Sequence, residues 1–247
     1  MKIRTPRILG AVLVAGLTVG LAAPAFADTA TTRPADSVSS TDTENAKVRC
    51  VQAIDRRLDT LDKVQGHLDE ADFVTEDHAA SLKSIIDSTN SGLRDLRDDI
   101  EGSADPDEIR VLCESIGPDY RVYLVVVPQS RLTARADRIS HSQARVDDLT
   151  AKFDAAADRA KEAGIDVSEA VALRDQAVDQ FDAAYSTVEG VADSVLAVTP
   201  AGYDEGPGQV TLQVASESIS TSLGQLQSAH TTGQEAVQAL KEAISGS

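Results

Sequence analysis

Apolar side chains recur at steps of three and four along most of the chain, the spacing that gathers them on one face of an α-helix. Over residues 45–68, Val51, Ile54, Leu58, Leu61 and Leu68 follow this rhythm and predict a first helix. The segment 69–74 interrupts it, and Thr75 then stands as an N-cap ahead of Glu76 and Asp77, whose carboxylates suit the positive end of a helix. Ala79, Leu82, Ile86, Thr89, Leu93, Leu96 and Ile100 carry the second helix to Gly102, and the short link predicts an antiparallel hairpin. Asp105-Pro106-Asp107-Glu108 opens a short third helix with a cap residue and a proline at its first position. It runs to about Ile116 and is stopped by Gly117-Pro118.

The stretch 119–128, DYRVYLVVVP, departs from the rhythm. Tyr120, Val122, Tyr123, Leu124, Val125, Val126 and Val127 favour extended backbone by composition. Eight such residues would cover about 26 Å at ~3.3 Å each. The expectation is a buried extended seam, with Val122, Leu124 and Val126 on one side and Tyr123 and Val125 on the other.

Beyond Pro128 the helical pattern returns. Leu132, Ile139, Val146, Phe153 and Ala160 recur every seven residues, with Leu149, Ala156 and Ala163 on an adjoining row, and predict a helix of about 34 residues, roughly 50 Å long, ending at Gly164. Val171, Arg174, Val178, Phe181, Tyr185, Val188, Ala192 and Val195 predict the next helix. Thr199-Pro200 and the loop after it break the pattern. Leu212, Ala215, Ile219, Leu223, Leu226, His230, Gly233, Val237, Leu240 and Ile244 make the last helix. The fold class is therefore all-α: a disulfide-tied helical hairpin unit over 45–118, an extended buried seam over 119–128, and an up-down-up three-helix coiled-coil bundle over 129–247.

The two ends of this pattern differ from its middle. Residues 1–27 combine Lys2, Arg4 and Arg7 with an apolar run and Ala25-Phe26-Ala27, the layout of a secretory signal peptide. Residues 28–44 are rich in Thr, Ser and Asp and predict a disordered leader. Removal of the signal segment would leave 20 of the 23 basic residues against all 40 acidic ones, a net charge of −20. That balance argues against nucleic acid and against anionic membrane surfaces as partners. With 42% apolar residues but only 3% aromatic and no Trp, the core must be built from aliphatic side chains. Aromatic platforms for carbohydrate are not expected.

Chemistry-bearing residues are few. Cys50 and Cys113 are the only cysteines, and in an exported chain whose hairpin brings the short third helix back to the start of the first, they predict a disulfide. Closing such a loop is worth at most about 4 kcal/mol in the chain-entropy account. Arg174 and His230 interrupt the apolar rows. Counting from the turns on either side places them at one level, with Asp154 or Asp158 close enough to pair with the arginine. A polar core layer that fixes helix register accounts for this set, and a small-ligand or anion pocket is the functional alternative. His67 and His78 flank the tip of the hairpin and read as a solvated tip rather than a metal pair, and His141 reads as exposed. The acidic clusters Asp98, Asp99, Glu101 and Asp105, Asp107, Glu108 lack the glycine and alternation of a calcium loop. No nucleophile elbow, phosphate loop or zinc motif is present, so no catalytic residues, metal or cofactor are expected and an enzyme is disfavoured.

Cys50, Cys113, the Asp119-Tyr120-Arg121-Val122-Tyr123 stretch and the Thr199-Pro200 break, behind a signal segment, together resemble uncharacterised exported helical proteins of high-GC Gram-positive bacteria. The resemblance implies an extracytoplasmic protein and carries no activity onto individual residues. The expected function is an exported, non-enzymatic structural or protein-interaction module at the cell surface or in the medium, with an unknown protein or cell-envelope partner. A carrier of a small apolar or anionic ligand is the alternative. The two differ in an observable: a carrier needs a cavity or an apolar face wider than a seam, an interaction rod does not.

Overall fold

A computed structural model describes residues 40–246. Among the described residues the chain is all-helical, with no strand. The expected signal segment, and positions 28–39 of the expected leader, lie outside the described residues. Positions 40–44, expected to belong to that leader, instead form the first turn of α1 (Ser40–Asp69). The helix nucleus lies further along, and adding polar residues to an existing helix end costs little.

α1 and α2 (Glu76–Gly102) form the expected hairpin, and the Thr75 hydroxyl accepts the His78 N–H as the N-cap. Ile54, Leu61, Leu82, Ile86, Leu93 and Ile100 are fully buried between them. α3 (Pro106–Ser115) begins where its cap signal places it, with the Asp105 carboxylate accepting the Asp107 N–H at 2.9 Å. The disulfide joins Cys50 to Cys113 with their Cα atoms 5.6 Å apart, and it ties α3 to the start of α1. Lys47 donates to the Glu101 carbonyl at the end of α2 (3.0 Å), closing the same end of the hairpin.

The 119–128 stretch is not extended. Arg121 adopts a left-handed conformation (φ 42°), and Val122–Val126 then form a single π turn that runs into α4 (Val127–His141). Val122, Val125 and Val126 are buried, whereas Tyr123 and Leu124 are nearly half exposed. The expected burial of Leu124 and Tyr123 is thus corrected. Two effects override the β propensity of the valines. Spacings of three and four place Val122, Val125, Val126 and Gln129 on one helical face, and the ring of Pro128, which clashes with the carbonyl four residues back in a regular helix, meets that of Leu124 inside the widened turn. The turn serves two cores at once. Val122, Val126 and Val127 pack with the α1–α2 hairpin, and Val125 packs with the later helices.

The expected 34-residue helix is two helices, α4 and α5 (Gln143–Glu162), separated at Ser142. The Ser142 hydroxyl donates to the Ile139 carbonyl (2.6 Å), and its N–H is shared between the Arg138 and Ile139 carbonyls. A serine bonding back to the preceding turn bends the backbone in this way. The following helix is also divided: α6 (Ser168–Val188) ends ahead of Gly190, whose positive φ of 68° a side chain would oppose, and α7 (Val191–Leu196) follows. A short α8 (Pro200–Glu205) fills the expected loop, and α9 (Gly208–Ser245) completes the chain. Buried Gln129 donates to the Val195 and Val198 carbonyls (2.9 and 2.6 Å), so α4 caps the C-terminus of α7 from inside the core.

α6 and α9 make the most extensive helix pair among the described residues, and small residues face each other across it. Ala170, Ala177 and Ala184 form a buried row every seven residues on α6, and Ala215, Ser222, Ala229 and Ala236 form one on α9. The Ser222 hydroxyl reaches the Ala184 backbone carbonyl at 2.8 Å, and a Cβ added at Gly233 would lie 3.9 Å from that of Ala177. Placing 184 by 222 and 177 by 233 makes the pair antiparallel. The larger residues expected in the seam, Leu223 and Val237, are displaced to exposed positions beside this row.

The seam correction has a direct consequence for two adjacent residues. Leu124→Asp should change stability by no more than about 1 kcal/mol, whereas Val125→Asp should cost at least about 3 kcal/mol or abolish folding, because only the second carboxylate would be buried without a partner. Urea unfolding midpoints of the two variants check this. Equal losses would contradict the helical turn.

Candidate functional site

α5 touches α6 and α9 chiefly through Phe153, Ala157 and Ala160, and on its outward side a groove of about 770 Å³ remains between α5 and α9 with α6 as its floor. α5 supplies Leu149, Phe153 and Ala156. α6 supplies Ala177, Val178 and Phe181, and α9 supplies Ala229, Gly233, Val237, Leu240 and Ile244. Leu149, Val237 and Ile244 are among the most exposed large apolar residues of the described chain. These rims are rows that the heptad pattern assigns to a closed core. Residues 149 and 156 on one helix, and 230, 237 and 244 on the other, are spaced by seven yet do not meet.

Four polar cationic or ionisable side chains border the groove: Lys152 on α5, Arg174 on α6, His230 and Lys241 on α9. None of the described lining residues is acidic, in a chain with 40 Asp and Glu. Lys152 is held by Asp148 on its own helix. Lys241 has no ion pair among the described residues.

The expected polar layer is assembled in part. Arg174 meets Asp154 across helices at 2.8 Å and its neighbour Asp175 at 2.9 Å. The first contact is close but misaligned for a hydrogen bond, which leaves the buried Asp154 Oδ1 and Arg174 Nε without a directional partner. Asp158 does not join and instead pairs with Lys161 at 3.5 Å. His230 borders the same groove as Arg174 but is exposed, so the set is not a buried core layer. The reason is the small-residue row: α9 presents Ala229 and Ala236 to α6 and turns His230 outward.

A second cleft, of about 970 Å³, opens at the bend between α4 and α5. Arg138, His141 and Arg145 share it with Asp72, Asp147 and Asp148, and its mixed charge selects no one ligand class.

A charged junction went unread in the sequence. His78, expected at a solvated tip, donates its Nδ1–H to the Asp137 carboxylate, 2.9 Å from either oxygen, and lies 3.3 Å from Asp193 through Nε2. Asp137 is buried on α4, and its Oδ2 also accepts the Thr75 N–H at 3.1 Å. The junction joins α2, α4 and α7. Its signal was a polar residue inside an apolar stripe: Asp137 follows Leu132, Thr133 and Ala136 on the buried face. Among the described residues no group of three or more His, Cys, Asp or Glu is placed to hold a metal ion.

The chain matches no protein family, no curated protein and no solved structure.

Burial is the largest influence on His78 and lowers its pKa, but the hydrogen bond and charge of Asp137, joined by those of Asp193, outweigh it, so the net shift is upward from 6.5. A raised histidine pKa contributes stability that is fully present below 6.5 and fades as pH rises through the folded value. The melting-temperature difference between the wild type and His78→Gln should be largest near pH 5.5 and should shrink as pH rises past neutrality. A difference that is constant or grows with pH would rule out the charged junction.

Proposed function

We propose that this protein is an exported, non-enzymatic helical binding module, and that it acts as a carrier whose ligand lies in the groove between α5, α6 and α9. The observation that carries the reading is the lining of that groove: apolar, about 770 Å³, and free of acidic residues among those described, in a chain of net charge −17. Pockets for small ligands fall at roughly 300–1,000 Å³ and are lined mainly by apolar side chains with a few polar ones at the edge. The Cys50–Cys113 disulfide supports an oxidising compartment, in keeping with the secretory signal segment. No described helix is long and apolar enough to cross a membrane.

The C-terminal half fits an up-down-up three-helix coiled coil in which α6 and α9 form a tight pair and α4–α5 is the third, bent strand. In this reading the bundle is closed near Ala157 and Ala160 and open beside Leu149 and Val237. The alternative of a structural or interaction rod, with a protein or cell-envelope partner, calls for a dry seam along the whole bundle. The open rows on α5 and α9 favour the carrier.

Fluorescence titration with the neutral apolar probe N-phenyl-1-naphthylamine tests this. Saturable binding of one probe per chain is expected, weakened about tenfold or more in Val237→Glu, where a charge enters the groove at an already exposed position. Absence of saturable binding, or binding indifferent to that substitution, would overturn the carrier reading.

A further inference from the structure

The groove has a chemical preference beyond being apolar. Its two rims and its floor each bring a cation: Lys152 from α5, Lys241 from α9 and Arg174 from α6, and His230 of α9 also lines it. Six lysines lie in the described residues, and two of them border this one groove. Arg174 and Lys152 also hold carboxylates, but those lie outside the lining, on Asp154, Asp175 and Asp148, and Lys241 holds none among the described residues. Elsewhere the chain is strongly acidic. The side chains that line the groove are thus cationic or neutral around an apolar surface, and Lys241 is the cation among them without a carboxylate partner among the described residues.

Building on the carrier reading, we propose that the ligand is a single-chain anionic amphiphile, an alkyl carboxylate of the fatty-acid class. Its chain lies against Leu149, Phe153, Phe181 and Val237, and its carboxylate sits at the cationic rim. Size supports one alkyl chain. The α5 wall of the groove runs from Val146 to Ala156, about 15 Å at 1.5 Å per residue, and the volume is that of a small-molecule pocket. A partner helix about 10 Å across would demand a wider trough. Charge does the selecting. A cationic amphiphile of the same length would gain the same apolar burial but would face Lys241 and Lys152, and a neutral one would leave them unused. The acidic surface around the groove repels anionic bilayers, so the site favours a free monomeric amphiphile over a membrane.

The test is displacement of N-phenyl-1-naphthylamine from the full-length secreted protein at low ionic strength. Dodecanoate and dodecyltrimethylammonium are compared below their micelle concentrations. Dodecanoate should displace the probe at a midpoint about tenfold lower than the cation. In the double variant Lys152→Glu with Lys241→Glu, both at exposed positions, that preference should fall at least about fivefold, and added salt should reduce it in the wild type. Far-UV circular dichroism melts confirm that the variant folds. If the probe binds but both amphiphiles displace it equally, or neither does, the anionic-ligand proposal fails while the carrier reading stands. If the probe itself does not bind, both fail. Sedimentation is the remaining arm: a concentration-dependent dimer lost in Val237→Glu would show a second copy in the groove and overturn the proposal.

Discussion

The close approach of α6 and α9 is the constraint from which the C-terminal half follows. A hydroxyl reaching from Ser222 to the Ala184 carbonyl requires the two backbones to lie near each other, and only a row of alanine, serine and glycine leaves that room. Two helices packed so tightly gain contact along their whole facing surface, with few voids to fill. The consequence falls on the larger side chains. Leu223, His230, Val237 and Ile244 share one row of α9 and cannot enter the narrow interface, so they flank it. A third helix must then cover two separated apolar rows, and α5 covers only one end of them.

The other organising feature is the wide turn at Val122–Val126. In a regular helix, or in an extended strand, consecutive valines could not be shared between the hairpin core and the later helices with the same economy of chain. The left-handed Arg121 sets the entry to the turn and is held there by Asp204 of α8, to which its guanidinium donates. The turn, the Gln129 cap on α7 and the His78–Asp137–Asp193 junction all converge on α4. That helix therefore fastens the disulfide-tied hairpin to the rest through the buried bonds of Gln129 and the part-buried bonds of Asp137 as well as through area.

What could be read in the sequence divides along physical lines. The hairpin, its caps and its disulfide were legible because each rests on local chemistry: Thr75, Asp105 and Pro106 mark helix starts whatever surrounds them, and two cysteines in a hairpin leave one pairing. The seam was misread because Val propensity is a weak prior, and the helical stripe that overrides it continues through Gln129, Ser130, Thr133 and Asp137, polar residues that a search for apolar periodicity discards. The core rows of α6 and α9 were displaced by one position for the opposite reason. Periodicity points to the large apolar residues, whereas the closest packing belongs to alanine. Arg174 with Asp154 was found by counting levels between turns, while His230 came to the same groove but on its open side.

The groove and the misread rows are one fact seen twice. An apolar heptad row normally disappears into a partner helix, and the free energy of that burial, on the order of 25 cal/mol per Å², is what closes a coiled coil. Here the rows on α5 and α9 keep the spacing of seven but face each other across a gap bordered by like charges. Lys152 on α5 and Lys241 on α9 border that gap from opposite rims, and its lining among the described residues holds no carboxylate that would draw the rims together. An anionic amphiphile in the gap would cover the same apolar surface and bring its charge to those cations. α5 is the helix placed to respond, since it hangs between the Ser142 bend and the turn at Gly164, whose positive φ of 81° marks a sharp reversal.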